Sequence, residues 1–236
     1  MVHAAPASAR VVSLVPSLTE SLLSWGVVPV ACTRFCEQPS LLHVGGTKDP
    51  DLDAIVALRP DLVLLCEEEN RLEDYEALVT RGLRCHGVRI DDVDDVAPAL
   101  GAVAALLGLG DEATAALRDL PPASSPSVPR RVFVPIWRRP WMTLSARTYG
   151  ASVLRRLGFD PLFGDRTVRY PEVTMDEVVA ARPDLVLLPT EPYPFKERHA
   201  EEWDGIAPAV LVDGQDLFWW GTRTPAALAR LAEALG

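Results

Sequence analysis

The chain has 236 residues, 48% of them hydrophobic, and a formal net charge of −10, enough to bury a core as one large domain or as two lobes of about 100 to 120 residues. The acidic balance excludes nucleic acid and anionic membrane as main partners, because both are bound by a basic patch that displaces counterions. No apolar run approaches the roughly 20 residues needed to span a bilayer.

Met1 to Arg10 has no charged segment followed by an apolar one, so no secretory signal is read and a cytoplasmic protein is expected. The Ala-rich MVHAAPASA leaves a second reading, an extracytoplasmic protein whose leader was trimmed. Arg10 to Val15, rich in β-branched residues, predicts a first strand, and Pro16 breaks it. Ser17 and Glu20 have the spacing of a capping box, so a helix is expected from there to Trp25-Gly26. Val27 to Ala31 reads as the second strand. A long irregular run, Cys32 to Asp51, follows, and such runs in compact domains tend to carry function. Phe35 and Cys36 are its candidate ligand contacts, whereas His43, a lone histidine, reads as structural.

Asp53 to Leu65, DAIVALRPDLVLL, is written again as Asp176 to Leu188, DEVVAARPDLVLL, 123 residues later with ten of thirteen positions identical. In each copy helical spacing ends at a proline, which lacks the N–H a helix needs. A short unbroken apolar run follows, the mark of a strand buried on both faces of a parallel sheet. Arg59, preceding Pro60, is expected to be extended. The duplication predicts two Rossmann-like α/β lobes with mostly parallel sheets and a ligand cleft between them. Glu67 and Glu68 follow the first central strand, at the end where open α/β sheets meet ligands and partners. Helix is expected over Arg71 to Thr80 and strand over Leu83 to Ile90.

Asp91 to Leu120 is Ala/Leu-rich and helical, divided at Gly108 and Gly110, and Pro121 to Pro129 (PPASSPSVP) marks the lobe boundary. The expected organisation is therefore 8–91 as the first lobe, 92–129 as a short helix and Pro-rich linker, and 130–236 as the second lobe. The second lobe restarts with a strand over Arg131 to Ile136 and a helix over Tyr149 to Leu157. Loops are expected over Trp137 to Thr148, Phe159 to Tyr170 and Leu217 to Gly221, and a last helix capped by Thr224. Trp137, Trp141, Tyr170, Trp219 and Trp220 fall in or beside these loops, which points to an aromatic-lined cleft for a large, partly apolar ligand. Glu191 stands in a Pro-rich rim beyond the second central strand.

Cys32, Cys36, Cys66 and Cys85 match no paired zinc pattern and read as free thiols, and no metal site is expected. There is no GxGxxG after a strand, no GxxxxGK[ST], no GxSxG and no HExxH. Glu67, Glu68 and Glu191 lack any accompanying nucleophile, so binding is favoured over catalysis, with a two-lobe enzyme the weaker alternative.

RVVSLVPSLTESLLSWG, VGGTKDPDLDAIVALRPDLVLL, PEVTMDEVVAARPDLVLL and RVFVPIW…YGASVLRRLGFDPLFGD together resemble the helical-backbone (class III) substrate-binding proteins of ABC importers, most of all the vitamin B12 branch. The resemblance implies a non-catalytic, monomeric receptor for a metal chelate. Cobalamin is the first choice, haem or a ferric siderophore the alternative, and an ABC permease the partner. It implies that Phe35, Cys36, Cys66, Trp137, Trp141, Tyr170, Trp219 and Trp220 pack the ligand's faces, that Arg34 or Arg138 meets its polar groups, and that Glu67, Glu68 and Glu191 dock the permease. Two departures stand out. Only Asp111 to Leu120, about 15 Å of helix, is left of the family's long spanning helix, and Cys66 occupies the place of an aromatic contact. The absence of a secretory signal, and of a counterpart near Trp219 to Arg223 for the family's second permease-docking glutamate, adds the reading of a cytoplasmic protein that handles a corrinoid or metal chelate.

Overall fold

A computed structural model describes residues 9–118, 120, 121, 123, 124 and 126–236. The start of the chain on which the leader reading rests, and Pro122 and Ser125 of the Pro-rich segment, lie outside the described residues. Two compact units are present: the chain through Ile90 with Asp95–Arg118, and Asp91–Asp94 with the chain after Arg118.

The first unit contains β1 (Val11–Ser13), α1 (Pro16–Ser24), β2 (Ala31–Cys32), α2 (Leu52–Ala57), β3 (Leu62–Cys66), α3 (Leu72–Thr80), β4 (Cys85–Val88) and α4 (Val96–Leu106). Its sheet runs β2-β1-β3-β4 with every pair parallel. β3, the apolar run of the repeat, is buried along its whole length, as a central strand of a parallel sheet must be. Val12, Leu14, Val63 and Leu65 pack with Ile55 of α2 and Leu78 of α3.

The second unit contains β5 (Arg130–Phe133), β6 (Trp141–Met142), α5 (Tyr149–Arg156), β7 (Phe159–Pro161), β8 (Glu172–Val173), α6 (Met175–Ala181), β9 (Leu185–Pro189), β10 (Ala209–Val212), α7 (Gly214–Phe218) and α8 (Thr224–Leu235). Its main sheet, β7-β5-β9-β10, is all parallel and repeats the strand order of the first, with β9 in the place of β3. β6 and β8 form a separate antiparallel pair. This is the α/β architecture of two mostly parallel sheets that the duplicated stretch predicts.

Each copy of the repeat makes the same clasp. Asp61 N–H donates to Arg10 O at 2.8 Å, and its carboxylate accepts from Arg10 N–H at 2.7 Å. Asp184 does the same with Arg131, at 2.8 and 2.7 Å. The aspartate after the proline thus pins the start of the central strand to the start of the first strand.

Arg59 is not extended: its φ is +47°, and Arg182 in the second copy has φ +50°. The helix must stop and turn into the strand within one residue, and a left-handed residue after the last turn does that. Its N–H bonds back into the helix, Arg59 to Val56 O at 3.0 Å and Arg182 to Val179 O at 3.1 Å. That requirement outweighs a penalty of roughly 1–2 kcal/mol for a left-handed non-glycine residue.

Other expectations shift. The Ser17/Glu20 capping box does not form, because Pro16 takes the first helical position and Val15 becomes the N-cap. β2 is confined to Ala31–Cys32, and Val28 is exposed. Phe159–Pro161 is an edge strand rather than loop, Leu217 and Phe218 lie in α7, and α8 is capped by Arg223, one residue before the expected Thr224. The helix expected over Asp111 to Leu120 is a 3₁₀ helix, Asp111–Leu117, grouped with the first unit, where Trp25 Nε1–H donates to Ala113 O at 2.8 Å. Asp91–Asp94 is held in the second unit by an Asp91–Arg169 ion pair, by Val93 N–H to Ser152 Oγ at 2.9 Å, and by Arg156 to Asp94 at 2.9 Å.

A capping box does form on α6. Thr174 Oγ1 accepts from Glu177 N–H at 3.2 Å, while the Glu177 carboxylate accepts from Thr174 N–H at 2.8 Å. Thr174→Ala is expected to lower stability by about 1 kcal/mol, read as a lower urea midpoint with an unchanged slope.

Candidate functional site

In open parallel sheets the carboxyl ends of the strands are where ligands are met, and some of the sequence-predicted residues follow such ends: Phe35 after β2, Glu67 after β3, Trp137 after β5 and Glu191 after β9. In the first unit β2 leads into a 3₁₀ turn, Arg34–Cys36. Arg34 and Phe35 are exposed, and the guanidinium lies 4.8 Å from the centre of the Phe35 ring. Arg34 also pairs with Asp49 at 3.0 Å. Cys36 and Cys66 are both buried to 2% exposure, so neither thiol lies at the surface. Burial, with Glu69 nearby, pushes the Cys66 thiol up to about 12, which keeps it protonated at neutral pH. The Cys32 thiol beside it holds the Cys36 thiol below its ordinary pKa.

Past β3 the chain turns through Glu67, Glu68 and Glu69. Glu67 is exposed and lies 3.8 Å from Arg89, and Lys48 Nζ donates to Glu68 O at 2.7 Å. Asn70, which sequence reasoning passed over, organises this end. Its Oδ1 accepts from Cys66 N–H at 2.8 Å, and its Nδ2 donates to Leu14 O at 3.2 Å and Thr47 O at 3.0 Å. One buried side-chain amide thus ties together the ends of β1 and β3 and the loop before α2. A cavity of about 590 Å³ opens beside it, lined by Cys66, Glu67, Asn70, Arg71, Tyr75 and Gly87 among others.

In the second unit the aromatic residues largely meet one another. The Trp141 ring stacks at 3° to Phe195, with centroids 6.4 Å apart, and lies 5.3 Å from Trp203. Trp203 is in turn 5.3 Å from Phe133. Tyr193 and Phe195 are 4.6 Å apart. Trp137 packs edge-on to Tyr193 at 5.6 Å and is 45% exposed, the outermost ring of the layer. Arg138 reaches back over it: Nε and Nη2 meet the Glu202 carboxylate at 3.0 and 2.8 Å, with the guanidinium 6.0 Å from the Trp141 ring centre. Trp203, absent from the sequence-based candidates, is the ring that ties this layer to the core.

Trp219 and Trp220 follow α7. Asp216, 3% exposed, accepts from Arg223 at 3.1 Å and from Arg230 at 2.7 and 2.6 Å, clasping α7 to α8. Arg223 also covers the half-buried Trp219 ring at 5.5 Å, and Trp220 is buried. Tyr170 is half-buried. Glu191 lies against Gly214, where a Cβ would come within 2.5 Å of the Glu191 backbone nitrogen, so only glycine allows α7 to start there. The structure therefore presents Arg34, Phe35, Trp137 and Glu67 at the surface and keeps Cys36, Cys66 and Trp220 inside.

A sequence profile described as "Periplasmic binding protein" matches residues 11–202. The chain belongs to the periplasmic binding protein family. Among relatives of this family member, the vitamin B12-binding protein of Salmonella paratyphi A is 25% identical over 197 residues, 79% of this chain and 73% of that one. The vitamin B12-binding protein of Yersinia pestis is 26% identical over 197 residues, 78% and 70% of the two chains. The same fold is found in the periplasmic vitamin B12 binding protein BtuF of Vibrio cholerae, with TM-score 0.80, 19% identity and 96% of both chains covered. It is found again in a periplasmic heme binding protein of Pseudomonas aeruginosa, with TM-score 0.78, 21% identity, and 96% and 92% covered.

The two ends of the aromatic layer are expected to respond differently to truncation. Trp203→Ala should cost about 3–5 kcal/mol in chemical denaturation, whereas Trp137→Ala should stay within about 0.5 kcal/mol.

Proposed function

We propose that this chain is a non-catalytic receptor for a large metal chelate, and that a corrinoid of the cobalamin type is its ligand. The observation that carries this reading is the alignment, over 79% of the chain, with proteins named for binding vitamin B12. The site chemistry agrees with it. Each unit offers one exposed aromatic after a strand of its parallel sheet, Phe35 with the Arg34 guanidinium 4.8 Å from its ring centre and Trp137, whose chain neighbour Arg138 holds its guanidinium over Trp141. Flat apolar rings suit the face of a macrocycle, and arginine donors suit its amide and carboxylate substituents. In the second unit Trp141, Tyr170 and Trp219 are half-buried and Trp220 is buried, and in the first unit Cys36 and Cys66 are buried.

Haem is the second reading, favoured by the likeness to haem-binding structures, because the same pairing of aromatic face and guanidinium suits a porphyrin with its propionates. The family's description as periplasmic supports a place of work outside the cytoplasmic membrane. No described helix is long and apolar enough to cross a membrane. Glu67, Glu68 and Glu191 are the proposed docking residues for a permease.

Titration calorimetry with cyanocobalamin and with hemin tests the reading. Saturable one-to-one binding of cyanocobalamin is expected, weakened about tenfold (~1.4 kcal/mol) by Phe35→Ala or Trp137→Ala. Binding of hemin alone would transfer the proposal to haem, and heat from neither compound would overturn both readings.

A further inference from the structure

His199 is buried in the second unit, 7% exposed, in the 3₁₀ turn Glu197–Trp203 that follows the Pro-rich rim. Its Nδ1 accepts from the Lys196 N–H at 2.9 Å, while its own N–H donates to Lys196 O at 2.8 Å. Both backbone groups of Lys196, where the rim enters the turn, are thus fastened by one residue. The ring packs edge-on to Phe195 at 5.6 Å and against Tyr193 at 5.9 Å, the two rings of the rim. Tyr193 in turn meets Trp137, and Glu202, later in the same turn, holds Arg138. The exposed Trp137 ring therefore rests on a segment, residues 190–203, whose entry an imidazole closes.

An Nδ1 that accepts carries no proton. Protonation would set an N–H against the Lys196 N–H, donor facing donor, and would bury a cation. The surrounding charges oppose a cation as well. Lys196 and Arg198 flank the ring on its own turn, and Arg138 acts on it from the loop after β5. Glu202 is the carboxylate that acts on it in the opposite sense, and Arg138 already takes that carboxylate; the Tyr193 phenol is the titratable group of the rim beside it. Burial first, then these cations, hold the His199 pKa below its ordinary value. His43 in the first unit is the contrast: it is exposed, and its Nε2 meets Gln38 O at 3.0 Å, a contact that a protonated ring keeps.

We propose that His199 is an acid-sensitive latch on the second unit's aromatic layer, which fastens residues 190–203 against Trp137 when neutral and releases them when protonated. A released His199 takes up a proton near pH 6.5, whereas the fastened one does so only at lower pH. The latch is therefore fully closed above about pH 6.5 and weakens as pH falls through that value. Its action changes the backing of Trp137 whichever ligand that ring meets, and it is testable without any ligand.

Amide exchange and nitrogen–proton correlation spectra of the full-length, ligand-free protein, taken from about pH 7.5 down to about pH 5, test the latch. The Lys196 amide is expected to exchange about tenfold faster at the acid end, after correction for the intrinsic rate, and the Trp137 indole signal to shift with the same midpoint below about pH 6.5. The Cys66 amide, held by Asn70 in the first unit, should stay protected throughout. In His199→Asn, whose side-chain carbonyl can take the Lys196 N–H and does not titrate, the response should vanish. If that variant fails to fold, the His199 ring signals of the unaltered protein decide, and they should titrate below about pH 6.5 together with the Lys196 amide. A Lys196 amide that stays protected to the acid end, a His199 ring that titrates at its ordinary pH or above, or the same response in folded His199→Asn would overturn the proposal.

Discussion

Two carboxylates set the frame on which everything else is hung. Asp61 and Asp184 each stand at the mouth of a central strand and exchange hydrogen bonds with a residue at the start of the first strand, Arg10 just before β1 or Arg131 in β5. An unbroken apolar run buried on both faces pins its own register weakly, because a slip of one residue only exchanges one buried face for the other. The clasp opposes that slip where the strand begins, and the apolar run behind it, buried on both faces, supplies the driving force. A proline immediately before the aspartate stops the preceding helix, and a left-handed arginine before the proline makes the turn short enough for the clasp to close.

With both central strands held in that register, their carboxyl ends become the place where irregular chain collects. In the first unit a buried amide, Asn70, binds three separate segments into one rim. In the second a layer of rings extends from the core residue Trp203 out to Trp137, and the Arg138–Glu202 pair lies across it. The pair is about one-quarter exposed on each side, so its contribution is largely orientation, with solvent screening much of its attraction. Rigid backing behind one exposed ring lowers the ordering cost of any contact made on it.

The repeat was the most legible feature, because a proline after helical spacing and an unbroken apolar run each admit few structures. From it came the two parallel sheets and the positions of β3 and β9. Local chemistry read in isolation fared less well. Ser17 and Glu20 have the letters of a capping box, but Pro16 claims the helix start; Thr174 and Glu177 form one that the sequence reading did not single out. The aromatic skew was visible, yet composition could not separate rings that bind a ligand from rings that bind one another. Packing distances show Trp141 and Trp203 in contact with neighbouring rings. Asn70 left no mark in the sequence, since an asparagine after three glutamates resembles any polar turn until its partners are known.

A receptor that holds a coloured cofactor without changing it should carry that colour through purification. The most direct measurement is the visible absorption spectrum of the protein isolated from its native source, set against its protein concentration. The account predicts a corrinoid spectrum, or a Soret band if haem is the cargo, at close to one equivalent per chain and unchanged in form after release by denaturation. A colourless protein that stays colourless after incubation with either cofactor, or a bound chromophore released chemically altered, would contradict it.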